Sequence, residues 1–274
     1  MVFSLQKSKT YSRRLLQALQ IGTLALSTAF WLTPPAQAQM GASPLVIEEQ
    51  ANRGQVDAVI NVINPTNTPL RARIYSEPFT YSDRGFETLP SITNYLGSYL
   101  QFSPRELTVP PNTTRRVRLV ARLAPNLPDG EYRAAIFTET LNEAAAGKSN
   151  LMGITTRVAT NIYIRKGNVM PNISVENASF NQTINQLQLL VQNTGNASTQ
   201  AKVDWSLSQG ERVIHSGHLL PSTVIAESKR NLPLNLFSPD FPPLSPGNYQ
   251  LTGSLTWGNN NSIPFDLNFT IPNS

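Results

Sequence analysis

The side chains able to do chemistry are few, and their spacing does not suit catalysis. There is no cysteine, which removes thiolate nucleophiles, thiolate metal ligands and disulfides together. The two histidines, His215 and His218, stand in "VIHSGHLL". Three apart on a strand, they leave on opposite faces and make a poor metal pair, and no carboxylate follows at ligand spacing. Neither a glycine-rich phosphate loop nor a G-x-S-x-G nucleophile turn is present. What remains is charge at strand spacing. Arg115, Arg116, Arg118 and Arg122 in "RRVRLVARL" would meet an anionic partner or form a solvated outer face, and alternation with Val117, Leu119 and Ala121 favours the face. The N-x-[ST] triplets, such as Asn172-Ile173-Ser174, read as Asn-rich turns. The expectation is a protein that is not an enzyme and has no metal and no cofactor.

Residues 1–38 have the layout of a secretory signal. Lys7, Lys9, Arg13 and Arg14 precede an apolar run from Leu15 to Leu32, and Ala36-Gln37-Ala38 forms an A-x-A cleavage site. The mature chain is expected to start at Gln39, in the periplasm, with no membrane insertion once the signal is removed. Removal takes four of the 22 Lys+Arg and no acid, which leaves 18 against 17 Asp+Glu. A near-neutral mature chain argues against nucleic acid as a partner. Without disulfides it must hold itself by core burial.

The elements that would position these groups are short strands. "QVDAVINVIN" (Gln55–Asn64), "GITTRVATNIYIR", "INQLQLLVQN", "AKVDWSLS" and "PFDLNFTI" alternate apolar and polar residues, with Pro, Gly and Asn between them. Two phrases recur. "LPDGEYRAAIF" returns as "LSPGNYQLTGSL", and "VINPTN" returns as "VQNTGN". In immunoglobulin-like sandwiches a Tyr near the start of strand F closes a corner against upstream backbone; Tyr132 and Tyr249 fit that role, and Trp205 falls where strand C of a second sandwich should run. The expected fold is all-β, two immunoglobulin-like sandwiches in tandem. The expected divisions are 39–166 and 167–274, hinged at "RKGNVMP" (Arg165–Pro171).

The first domain resembles the periplasmic pilus chaperones, the PapD-like family. The stretches that carry the resemblance are "SPLVIEEQANRGQVDAVINVINPTN", "YLQFSPRELTVPPNTTRRVRLV", "LPDGEYRAAIFTET" and "MGITTRVATNIYIR", in that order. The second domain matches only as a generic sandwich. The resemblance implies capture of pilin-like subunits by strand donation, with apolar side chains of the last first-domain strand filling a groove in the partner. That row would be Met152, Ile154 and Thr156, weakened at Thr156; Ile154 facing the domain's own core is the competing reading. The family also anchors the subunit's terminal carboxylate with two basic cleft residues. Glu49 and Asn161 fall at those positions and neither is basic, so a carboxylate beside Glu49 would be repelled. The family's interdomain ion pair maps to Glu131 and Arg165.

The reading is therefore a periplasmic chaperone-like protein that binds an unfinished or extended partner chain, a pilus or surface subunit or another envelope protein. The alternative is a structural or adhesive immunoglobulin-like module of the cell envelope without chaperone activity.

Overall fold

Alternating apolar residues become strands that bury one face, and the computed structural model contains little else. It describes residues 40–82, 85–141, 155–234, 244–258 and 260–272; the expected signal segment lies outside them. The strands are β1 (Gly41–Ser43), β2 (Val46–Gln50), β3 (Gln55–Asn64), β4 (Leu70–Glu77), β5 (Phe79–Ser82), β6 (Gly85–Thr88), β7 (Leu100–Ser103), β8 (Glu106–Val109), β9 (Thr113–Arg122), β10 (Gly130–Thr140) and β11 (Arg157–Lys166), then β12 (Ile173–Asn181), β13 (Gln186–Asn193), β14 (Thr199–Gln209), β15 (Arg212–Val224), β16 (Ser228–Leu234), β17 (Gly247–Trp257) and β18 (Asn261–Ile271).

Two sandwiches result. In the first, sheet β1-β3-β9-β7 packs on sheet β2-β11-β10-β4-β8. Ile60, Val62, Val117, Leu119, Ile136, Ile162 and Ile164 fill the space between them, at 0–1% exposure. In the second, sheet β12-β13-β16 packs on β15-β14-β17-β18 around Leu187, Leu189, Val203, Trp205, Leu207 and Leu251. Each fully buried aliphatic side chain contributes roughly 1.5–3 kcal/mol. That is how a chain without cysteine holds two cores. The fold is all-β, with two immunoglobulin-like domains in tandem.

Both recurring phrases build the same local devices. Tyr132 donates its hydroxyl to the Pro128 carbonyl at 2.9 Å, and Tyr249 donates to Ser245 at 2.7 Å; each reaches back four residues and closes the corner. Asn64 ends β3 and Asn193 ends β13. The Asn64 side-chain amide donates to the carbonyls of Thr68 (2.8 Å), Val109 (3.0 Å) and Pro110 (3.1 Å), and its oxygen accepts the Thr66 N–H (3.0 Å). Asn193 donates to Ala197 (2.8 Å) and Val224 (3.2 Å) and accepts from Gly195 (3.0 Å) and Asn172 (3.1 Å). Each Asn ties its own turn to the end of a distant strand.

The edge strands of the second sandwich are interrupted. Strand β12 has a register shift between Val175 and Asn177, and β15 pairs with β14 across two further shifts and carries Pro221. Strand β16 carries Pro233 and β18 carries Pro264. In the first sandwich β1, β2, β7 and β8 span only three to five residues. Between the sandwiches the chain turns at Gly167, whose φ of +74° suits glycine; a Cβ there would lie 2.1 Å from the Asp129 carboxylate.

Candidate partner-binding edge and interdomain junction

Strand β11 pairs antiparallel with β10 along its whole length, and on its other side parallel with β2 from Asn161 to Arg165. The backbone groups alternate between the two sides. Thr140 N–H donates to the Thr156 carbonyl at 2.9 Å, whereas Asn161 N–H donates outward to Leu45 at 2.9 Å. By that alternation Arg157 and Ala159 also aim their N–H groups away from β10. Among the described residues no strand meets them there, because the β2 register begins opposite Asn161. The outer side of residues 157–159 is thus an open stretch of a long, regular strand, and it ends at Thr160, which is fully buried and donates its hydroxyl to the Pro44 carbonyl at 2.9 Å. Of the predicted apolar row, Met152 and Ile154 lie outside the described residues. Thr156 lies just before the strand, half-buried, with its N–H donated to Thr140 Oγ1 at 2.9 Å.

The face of the sheet beside this edge is aromatic. The β5–β6 hairpin, whose two strands pair only with each other, lies over it. Phe79 meets Tyr163 at 5.8 Å between ring centroids, and Phe86 meets Phe137 at 6.1 Å. Arg157 stacks 3.4 Å from the Phe137 centroid and pairs with Glu77 at 2.6 Å. From the second sandwich Arg230 stacks over Tyr81 at 3.9 Å.

Glu49 and Asn161 do not form a cleft pair. In the β2–β11 register Glu49 stands opposite Ile164, and Val46 stands opposite Asn161. Partners in register share a face, and alternation sends neighbours to opposite faces. Glu49 therefore leaves with Ile47 and Ile164 on the core side and ends in solvent, while Asn161 leaves on the aromatic side. Asn161 is buried and donates to the Tyr81 hydroxyl at 2.9 Å. The β2 acid on the junction side is Glu48, which accepts from Arg165 (3.1 Å) and Gln200 (3.3 Å).

Glu131 and Arg165 stand opposite each other on β10 and β11, with Arg165 Nε 3.7 Å from Glu131 Oε2. The nearer partner of Glu131 is Ser198 of the second sandwich. Ser198 N–H donates to Oε2 at 2.7 Å, and the Ser198 hydroxyl donates to Oε1. Arg165 donates in turn to the Ser198 carbonyl at 2.7 Å. The carboxylate is 2% exposed. The second phrase has Asn248 at this place, an exposed residue that accepts from Thr270 at 2.8 Å. A crevice of about 520 Å³ opens beside the junction, lined by Thr80, Asn94, Glu131, Arg133 and Glu227.

Burial pushes the Glu131 carboxyl above its ordinary 4.5, against the pull of Ser198 and Arg165. A native carboxyl with a raised pKa binds its proton more tightly than the unfolded chain does. Its contribution to stability is then largest at acid pH and falls as pH rises through the native value. Urea unfolding from about pH 4 to pH 8 should show wild type losing ground to Glu131→Gln as pH rises. Asp57, held low by Arg118, and Glu139, held low by the Tyr75 hydroxyl, change stability in the opposite sense but are common to both proteins. A difference that does not vary with pH would exclude a raised native pKa.

Ser198 escaped sequence reasoning because half of its role is a backbone N–H, which leaves no mark in sequence. The aromatic hairpin was also missed. Asn64 and Asn193 carried a usable signal, since both fall at the same place in the repeated phrase.

No family model matches the sequence, and no curated protein matches it. Solved structures do. A chain of the CsuC–CsuE chaperone–tip adhesion subunit pre-assembly complex of Acinetobacter baumannii is 12% identical, over 84% of this chain and 98% of that one, with a TM-score of 0.48. The class 5 fimbriae chaperone CfaA is 11% identical, over 85% and 99%, at 0.46. A chain of the Salmonella enterica SafA pilin–SafB chaperone complex is 12% identical, over 87% and 99%, at 0.46. In its sequence stretches and in its two-domain immunoglobulin-like fold, this chain resembles the periplasmic pilus chaperones.

Proposed function

We propose that this protein binds an unfinished or extended partner chain, a secreted pilin-like subunit or another envelope protein, by strand addition along the start of β11, without catalysing a reaction. The observation that carries the reading is the open stretch Arg157–Ala159 at the head of a ten-residue strand. Unpaired N–H and C=O groups in a regular strand offer a partner main-chain hydrogen bonds, and adjacent apolar side chains add grip and register. Met152, Ile154 and Thr156 continue that strand in sequence, and the motif resemblance supplies the partner class. After removal of residues 1–38 the site of action is the periplasm. Glu48 and Glu49 in β2, with neutral Asn161, imply that the partner's terminal carboxylate contributes little to binding.

Two variants test it. Ala159→Pro deletes an outward N–H while leaving the β10 ladder intact, because proline is tolerated where a strand's N–H faces solvent. Ile154→Asp puts a charge into an apolar groove. In periplasmic pull-downs, with folding checked by circular dichroism, both should lose the partner. Losing the Ile154 side chain alone should weaken binding about tenfold to a hundredfold. A folded Ala159→Pro protein that keeps the same partner at the same yield would overturn the reading and leave the envelope-module alternative.

A further inference from the structure

The other sheet of the first sandwich turns a different chemistry outward. On β9, Val117, Leu119 and Ala121 face the core, and Arg116, Arg118, Val120 and Arg122 face away. Beside them on β3 the outward positions are Gln55, Asp57, Val59, Asn61 and Ile63. Asp57 is the only acid among these positions, and it is taken by Arg118 at 2.6 Å and Gln55 at 2.8 Å. Arg116 and Arg122 form no ion pair or side-chain hydrogen bond among the described residues. The β3–β9 pair lies inside its sheet, with β1 beside Asn61–Ile63 and β7 beside Arg118–Ala121, so a partner lying over this face meets side chains. Between Arg116 and Arg118 the surface dips over Val59 into a shallow depression that also touches Ser103.

We infer that this face docks an acidic, extended segment of another polypeptide, with carboxylates on Arg116 and Arg122 and an apolar side chain in the dip over Val59. Every cation on β9 is arginine, whose planar fork holds a carboxylate through two hydrogen bonds. Arg116 and Arg122 are six residues apart, about 20 Å along the strand. An extended peptide rises by the same amount per residue, so acids six apart in the partner reach both. A uniformly charged polyanion fits less well. Asp57 stands in the middle of the row, and Val59, Val120 and Ile63 offer apolar surface to which such a polymer has nothing to bring.

The probe is a fluorescently labelled peptide of about twelve residues with Glu at its third and ninth positions, Val at its fifth and seventh and Ser elsewhere, so that acids and apolar side chains leave on one face and the acids span the row. The control is its Gln–Val counterpart, and heparin stands for polyanions. Anisotropy titrations use the mature protein and the double variant Arg116→Ser/Arg122→Ser. Both positions are exposed and unpaired, so its thermal unfolding should match wild type, and Arg118 stays to hold Asp57. The Glu–Val peptide should bind, the Gln–Val peptide should not, and the double variant should lose at least about tenfold in affinity. Equal binding of the two peptides, or of the two proteins, overturns the inference. So does heparin binding tighter than the peptide, which would make the face a polyanion surface. This result is independent of the β11 edge, since Ala159→Pro should leave it unchanged.

Discussion

Replacing Asn193 with alanine should cost about 4 kcal/mol, one of the two largest effects expected here. The side chain is 0% exposed. It serves two carbonyls, Ala197 and Val224, and two N–H groups, Asn172 and Gly195. Alanine leaves the two buried carbonyls unmet and the two half-buried N–H groups to find new partners, at roughly 1 kcal/mol each. For a chain of this size that lowers the unfolding midpoint by about 8–16 °C. Asn193→Asp should fare little better, because it keeps the acceptor but sets a carboxylate oxygen against two carbonyls. Tyr249→Phe removes a single hydrogen bond and should cost about 1 kcal/mol. Thermal unfolding decides; Asn193→Ala and Tyr249→Phe losing the same amount would mean that the turn finds other partners.

The second large effect is at Glu131. Glu131→Ala leaves the Ser198 N–H and hydroxyl facing a void and removes the acid beside Arg165. It should cost about 3 kcal/mol, whereas Glu131→Gln, which retains an acceptor, should cost less. Ser198 holds the carboxylate more closely than Arg165 does, so the coupling between Glu131 and Ser198 in a double-mutant cycle should exceed that between Glu131 and Arg165. Both couplings at zero would reduce the junction to two domains that merely touch.

How much of this was legible follows from what each residue does. Strand β3 was plain because Val56, Ile60 and Val62 alternate over ten residues against a single core. Tyr132 and Tyr249 were plain because a turn and a ring at fixed spacing have one common use. Glu49 misled because a one-residue error of parity reverses the face of a strand, and only the β2–β11 register sets that parity. The β5–β6 hairpin was hidden because Phe79, Tyr81 and Phe86 cover the outer face of another sheet, not a core of their own. The open edge at residues 157–159 was implied only by the resemblance, as strand donation along the last first-domain strand. Which strand lacks a neighbour is a property of topology.

The prolines and register shifts of the second sandwich bear on how the protein behaves when crowded with copies of itself. A flat, unpaired edge invites any extended chain, including an identical one, and repeated pairing of that kind leads to aggregates. Strands β12, β15 and β16 each break their row of donors or their register, and Pro264 interrupts β18 ahead of its regular run Phe265–Ile271. Short β1, β2, β7 and β8 give too little length to hold a stranger. Among the described residues, long strands keep an open side at Gln55–Ile60 of β3, which β1 meets only from Asn61 to Ile63, and at the head of β11. At the head of β11, self-association and partner binding would compete for the same groups, so a free excess of this protein would be in most need of its partner there.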